Sequence, residues 1–402
     1  MNVPLRSHPL ARSRLATRAN DWLSHAWTKG WLPAPPLDAD AMWTLATKPY
    51  GQYAIEAEIG GRRPSDVRDF RARLERLIQS VDEEADLNSL GRTMAYGQLM
   101  RVIRNRLQLG ALWTARPEIL ATPLAAPIIV IGHMRSGTTR IHKLLAADPA
   151  HSHTRYCDAY HPVPGRFALK RFRSKLDLAM LSALNPWLQT IHPMAASEVE
   201  EELAWLAAAL NHSIYESQWR VPGFSAFSEA RHAGPVYREF TRILRTDAAH
   251  RSNGARPRVL KVPAFSEDLA VLLEQFPDAR IIVAERETAA VLRSAVSLVA
   301  NQMAVQSDTC DLTWIEGEWR RKLALRDARM QRALSGWTGP VARLSFDALN
   351  ADWESEIRRA YRDLAMPLTL RALDAMRTAM AESHTGHHRA HSEQLARFAA
   401  ET

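Results

Sequence analysis

Ala126-Pro127-Ile128-Ile129-Val130-Ile131-Gly132-His133-Met134-Arg135-Ser136-Gly137-Thr138-Thr139 is the stretch on which the fold turns. Its first half is short, apolar and largely β-branched, the composition of a strand buried on both faces of a parallel sheet. Gly132 ends the run, and Ile141, Leu144 and Leu145 then take up helical spacing. The polar residues between are therefore a turn from a buried strand into a helix. Backbone N–H groups at a helix N-terminus, with the helix dipole behind them, hold phosphate or sulfate oxygens. Glycines let the backbone wrap an anion; Ser136, Thr138 and Thr139 add hydroxyls, and Arg135 adds a fork matched to paired oxygens. The glycine spacing is that of a phosphate-binding G-x4-G loop, but Thr138 stands where a nucleoside-triphosphate enzyme places lysine.

Further strands are predicted at Arg258–Val262, Ile281–Ala284 and Val341–Leu344. Between the first two, Phe265, Leu269, Leu272, Leu273 and Phe276 share one helical face, with Ser266 as a candidate N-cap. Strands alternating with helices predict an α/β fold: a P-loop-like parallel sheet flanked by helices. Before residue 121 the pattern is helical. Phe70, Leu74 and Leu77 mark one helix, Leu99 to Leu109 another, and Leu87-Asn88-Ser89-Leu90-Gly91 separates them. The expected organisation is an N-terminal helical region over 1–120 and an α/β domain over 121–402. A helical insertion at about 165–255 is rich in aromatics, which suit an acceptor pocket or an ordinary core equally.

The 402 residues carry a formal net charge of +8, which admits nucleic acid, an anionic membrane or a small polyanion as partner. Of the 52 cationic residues only seven are lysines, and the arginines are scattered among acids along the chain. A nucleic-acid surface needs clustered charge, so none is expected. Two cysteines, Cys157 and Cys310, do not make a disulfide framework, and a reducing, cytoplasmic setting is expected. No apolar run approaches membrane-spanning length. The basic stretch with Arg6, Arg12, Arg14 and Arg18 reads as a frayed N-terminus.

Pro127 to Leu145, with its Arg-Ser-Gly-Thr-Thr turn, resembles the 5′-phosphosulfate-binding segment of sulfotransferases, in particular the broad bacterial-type branch. The resemblance runs from about Val67 to the C-terminus. It implies transfer of a sulfuryl group from 3′-phosphoadenylyl sulfate to a hydroxyl or amine of a small-molecule, glycan or lipid acceptor, releasing adenosine 3′,5′-bisphosphate, with no metal. Arg135, Ser136, Gly137, Thr138 and Thr139 would hold the 5′-phosphate and sulfuryl group. Arg286, at the end of Ile281–Arg286, and Ser294, eight residues on, would hold the 3′-phosphate. Here the chain reads Glu285-Arg286-Glu287-Thr288 where relatives commonly show His-Arg-Asp-Pro, so two carboxylates flank the arginine. Gly386-His387-His388-Arg389-Ala390-His391 resembles the family's last basic segment, which adds Arg389 as a 3′-phosphate contact. Lys261, in Leu260-Lys261-Val262-Pro263, falls where relatives carry Leu-Lys-Ser-Pro, near the transferring group.

Sulfuryl transfer also needs a base for the acceptor's proton. His192, in Ile191-His192-Pro193 ahead of the acidic run Glu198–Glu202, resembles the family's His-Pro…Pro-Glu-Glu segment, and histidine is the side-chain type suited to a base near neutral pH. Asp158, in Tyr156-Cys157-Asp158, is the second candidate, one methylene shorter than the glutamate of relatives. The acceptor and the oligomeric state are not specified by these motifs. Two other classes fit less well. A P-loop phosphotransferase or NTPase lacks the loop lysine and an evident carboxylate-bearing strand for magnesium; a non-catalytic anion- or nucleic-acid-binding protein has only the basic charge in its favour.

Overall fold

Four parallel strands form one sheet in the order β2-β1-β3-β4, from Ile128–Ile131 (β1), Val259–Lys261 (β2), Arg280–Glu285 (β3) and Val341–Ser345 (β4). The structure is a computed structural model and describes residue 6 and residues 10–383. Register places Ile129 between Leu260 on β2 and Ile281 on β3, and Ile281 beside Val341 on β4. Both faces of the sheet are covered, which is why β1 has no polar alternation. Ile129, Ile131, Leu260, Ile281 and Val283 enter one core with Trp205, Tyr237 and Phe240. Ile128, Val130, Val259, Ile282 and Leu344 enter the other, under the helices Thr138–Ala147 and Trp353–Asp363.

Among the described residues, all elements up to residue 121 are helical, including Arg14–Thr28, Pro64–Glu83 and Ser89–Ala115. Asn88 makes the predicted break: its side chain caps the helix Ser89–Ala115 by accepting from the Gly91 amide at 2.8 Å. Pro64–Glu83 and Ser89–Ala115 share a core with Tyr215, Trp219 and Phe224, while Arg14–Thr28 packs Ala16 against Leu90 and Val305. The aromatic segment therefore divides between the sheet and the N-terminal helices, and its large rings fill cores.

Two local expectations are corrected. The basic N-terminus is docked from Arg12 on: that guanidinium bonds the Ala304 and Ser307 carbonyls and reaches Asp308 at 2.5 Å, while Ser13 caps the helix Arg14–Thr28. Ser266 does not cap a helix; it lies in a short 3-10 turn, and its hydroxyl accepts from the Gly132 amide at 3.1 Å. The helix that follows, Leu269–Gln275, has Asp268 as its N-cap, two residues after Ser266.

Strand β1 lies between its two successors, β2 on one side and β3 on the other. In open parallel sheets such a switch point opens a crevice at the carboxyl ends of the strands, and ligands bind there. The residues leaving β1, β2 and β3 at this edge are Gly132, Val262 and Arg286.

Candidate active site

The turn after β1 is built around two glycines that no other residue replaces without strain. Gly132 has φ 137°, and a Cβ there would lie 2.6 Å from the Ala284 carbonyl. Gly137 has φ 91° and forms the N-cap of Thr138–Ala147 with no side chain bonded to the helix end. The first-turn amides of Thr138 and Thr139 thus precede the register in which a helix satisfies its own N–H groups. Arg135 itself takes φ 69°, a left-handed conformation unusual outside glycine. Ser136 closes the turn: its hydroxyl donates to the His133 carbonyl at 2.7 Å, and His133 Nε2 meets Asp327 at 2.8 Å.

Three predicted anion-binding residues meet at Arg135. Its Nε donates to Ser294 Oγ at 2.9 Å and its Nη1 to the Ile191 carbonyl at 3.0 Å. Arg286 donates to the Arg135 carbonyl at 2.6 Å, and its guanidinium stacks 3.9 Å over the Phe346 ring. Burial, reinforced by the neighbouring Arg286 charge, lowers Arg135 to about 10, so it remains cationic at neutral pH. The flanking carboxylates do not face this cluster. Glu285 pairs with Arg343 at 2.7 Å, and Glu287 caps the helix Thr288–Gln306 by accepting from the Ala289 and Ala290 amides. In the departure Glu-Arg-Glu-Thr both carboxylates are thus engaged elsewhere, although the Glu287 charge still acts on Arg286. Arg389 lies outside the described residues.

A cavity of about 320 Å³ opens beside the loop; Arg135, Thr138, Thr139, His192, Glu201 and Lys261 lie on its wall. His192 Nε2 stands 3.4 Å from Glu200, and Lys261 Nζ 2.5 Å from Glu201. The ligand atoms of His192, Glu200 and Glu201 all lie within 4.8 Å of one another. Burial pushes Glu200 up, but the His192 hydrogen bond and charge outweigh it and hold the carboxyl below its ordinary range. Glu202 is fully buried and accepts from the Lys261 amide at 2.9 Å, fixing the end of β2. Burial pushes Glu202 up to about 7.

Asp158 is not on the cavity wall. Its carboxylate is caged by Arg155 and Lys170, each at 2.6 Å. Burial raises its pKa, yet those two cations bring it below the usual carboxylate value. The tyrosines two residues to either side, Tyr156 and Tyr160, do line the cavity, stacked 4.4 Å apart. None of the aromatics of 165–255, which suited a pocket or a core equally, lines this cavity; its apolar lining comes from Met94, Met134, Met180, Leu184, Leu188 and Leu298. The helix Ser89–Ala115 contributes Gln98, Arg101 and Asn105, so the N-terminal helical region is part of this site.

Phe346 and the contacts that Ser266 and Glu202 make at this site escaped the sequence reading. Each acts across a distance in sequence, under Gly137, on Gly132 and on Lys261, and carries no local spacing signal.

Residues 127–369, more than half of the chain, match the model of a sulfotransferase family. The fold is similar to sulfotransferase STF1 from Mycobacterium tuberculosis H37Rv, with a TM-score of 0.75 at 24% identity, covering 92% of this chain and 100% of that one. It is also similar to sulfotransferase STF9 from Mycobacterium avium, with a TM-score of 0.72 at 21% identity, covering 87% and 89%. No curated protein matches the sequence. With the loop at the switch point and the matched span enclosing the whole sheet, the chain belongs to the sulfotransferase family.

Proposed function

We propose that the protein transfers a sulfuryl group from 3′-phosphoadenylyl sulfate to a hydroxyl or amine of an acceptor held in the cavity of about 320 Å³. The observation that carries this reading is that Arg135, Thr138 and Thr139 of the turn line the same cavity as Lys261, its partner Glu201, and His192, which pairs with Glu200 behind it. The residues fit such a donor. The uncapped N-terminus at Gly137 offers amides to the 5′-phosphate, and Arg135 supplies a fixed charge whose carbonyl and Nε are held by Arg286 and Ser294. Arg286 and Ser294 are the proposed 3′-phosphate contacts, and a donor phosphate would compete for the bonds they now make to Arg135. The bound donor supplies an activated sulfuryl group on a phosphate leaving group.

The remaining work falls to the chain. With His192 Nε2 turned toward Glu200, Nδ1 is left for the acceptor's proton, and the Glu200 carboxylate stabilises the imidazolium that results. The Lys261 ammonium, positioned by Glu201 and by the Glu202 bond to its amide, supplies positive charge where negative charge develops. Asp158 serves as the anchor of the segment that presents Tyr156 and Tyr160. Incubation with 3′-phosphoadenylyl sulfate and a panel of hydroxyl and amine acceptors tests this. Acceptor-dependent release of adenosine 3′,5′-bisphosphate is expected; γ-phosphate transfer from ATP without any such release would contradict it.

A further inference from the structure

The helix Phe167–Leu184 buries one narrow stripe, Lys170, Ser174 and Leu178, spaced four apart. On the opposite side Leu169, Phe172, Leu176 and Met180 recur at spacings of three and four and form a continuous stripe. They are exposed, Phe172 by 58% and Met180 by 62%. Helical periodicity sets Arg166 and Arg173 along one border of this stripe and Arg171 and Lys175 along the other, all exposed. The helix has one acid, Asp177, which pairs with Arg101 at 3.4 Å and meets His161 at 3.3 Å. A wholly apolar stripe between two cationic borders matches a surface with hydrocarbon beneath anionic groups. No helix among the described residues is long and apolar enough to cross a membrane, so the fit is to lying on one.

Met180 links this face to the chemistry, because it belongs both to the exposed stripe and to the cavity wall. From it Leu181, Leu184 and Leu188 continue the apolar lining toward His192 and Lys261. We infer that Phe167–Leu184 seats the cavity mouth on an anionic bilayer surface, and that the acceptor is an amphiphile that presents its hydroxyl or amine to His192 with its apolar body along this lining. The acceptor part of this inference rests on the sulfotransferase reading; the docking part does not.

Co-sedimentation with vesicles of equal parts phosphatidylcholine and phosphatidylglycerol, against phosphatidylcholine alone, tests it, with the solution mass and bisphosphate affinity measured on the same preparations. The protein should pellet with the mixed vesicles, and less so in high salt or with the neutral ones. The double variant Phe172→Asp/Leu176→Asp should lose about tenfold or more of this binding while keeping its affinity for adenosine 3′,5′-bisphosphate, which shows that it is folded. Arg171→Glu/Lys175→Glu should lose only the preference for anionic vesicles. Absence of vesicle binding, or equal binding by the aspartate variant, overturns the inference. So does a dimer that the aspartate variant dissociates in the absence of vesicle binding, since the stripe is then an interface between copies. Vesicle binding by a protein that ignores the bisphosphate would retain the docking surface and remove the transferase reading.

Discussion

A single methyl on Gly137 is expected to disable donor binding with little effect on the rest of the fold. At φ 91° the residue occupies a conformation that costs an L-amino acid about 1–2 kcal/mol. The added Cβ would also lie 2.9 Å from the Phe346 ring, so the ring must turn. Leaving a rotamer well costs a further ~0.5–1.5 kcal/mol. The ring carries Arg286 at 3.9 Å, and Arg286 holds the Arg135 carbonyl at 2.6 Å, so the displacement reaches the guanidinium that faces the donor. Together these disfavour the binding-ready turn by about 1.5–3.5 kcal/mol, equivalent to roughly 10- to 300-fold in affinity. Calorimetric titration of Gly137→Ala with adenosine 3′,5′-bisphosphate reads this directly, beside a thermal unfolding curve that should move little. Adding Phe346→Leu should recover part of the loss, because it relieves the contact and leaves the backbone strain. Affinity within about threefold of the parent would refute the reasoning, since it would show a turn that tolerates a side chain.

His192→Asn should reduce acceptor-dependent turnover by about 10²–10⁴-fold with bisphosphate affinity unchanged; unchanged turnover removes His192 as the base. Asp158→Asn breaks two buried ion pairs of 2.6 Å and strands Lys170, so thermal unfolding should show a loss of about 3–5 kcal/mol while the folded enzyme keeps its turnover. Lost turnover at undiminished stability would return Asp158 to the chemistry. Glu202 is raised from an ordinary 4.5 to about 7, so the stability of its protonated form is complete below pH 4.5 and disappears as pH rises through 7. Glu202→Gln should therefore match the parent near pH 5 and exceed it at pH 8 by up to about 3 kcal/mol in denaturant unfolding. A difference that does not change with pH would place the charge of Glu202 elsewhere.

The parts of the protein that were legible in the sequence are those set by local pattern. Ile128–Ile131 is apolar at every position because helices cover both faces of the sheet, and the glycines at 132 and 137 stand where the backbone turns left-handed. The Arg286 and Ser294 pair is singled out by the family resemblance, with which the spacing agrees, but the structure directs both residues first onto Arg135, a convergence that no spacing contains. What stayed hidden depends on contacts between distant segments. Asp158 looks like a free carboxylate until Lys170, twelve residues away on the next long helix, folds onto it. Glu285 and Glu287 look like intruders in a phosphate site until Arg343 and the end of a helix claim them. Trp205, Trp219 and Phe240 have the composition of a pocket wall and the burial of a core, a distinction that only packing makes.

Titration of the parent protein and Arg135→Ala with adenosine 3′,5′-bisphosphate, with ATP and magnesium as the parallel ligand, tests the central claim most directly. The account predicts tight binding of the bisphosphate by the parent, loss of that binding in the variant, and indifference of both to ATP. Tight ATP binding with no response to the bisphosphate, or a variant that binds the bisphosphate as well as the parent, would contradict it.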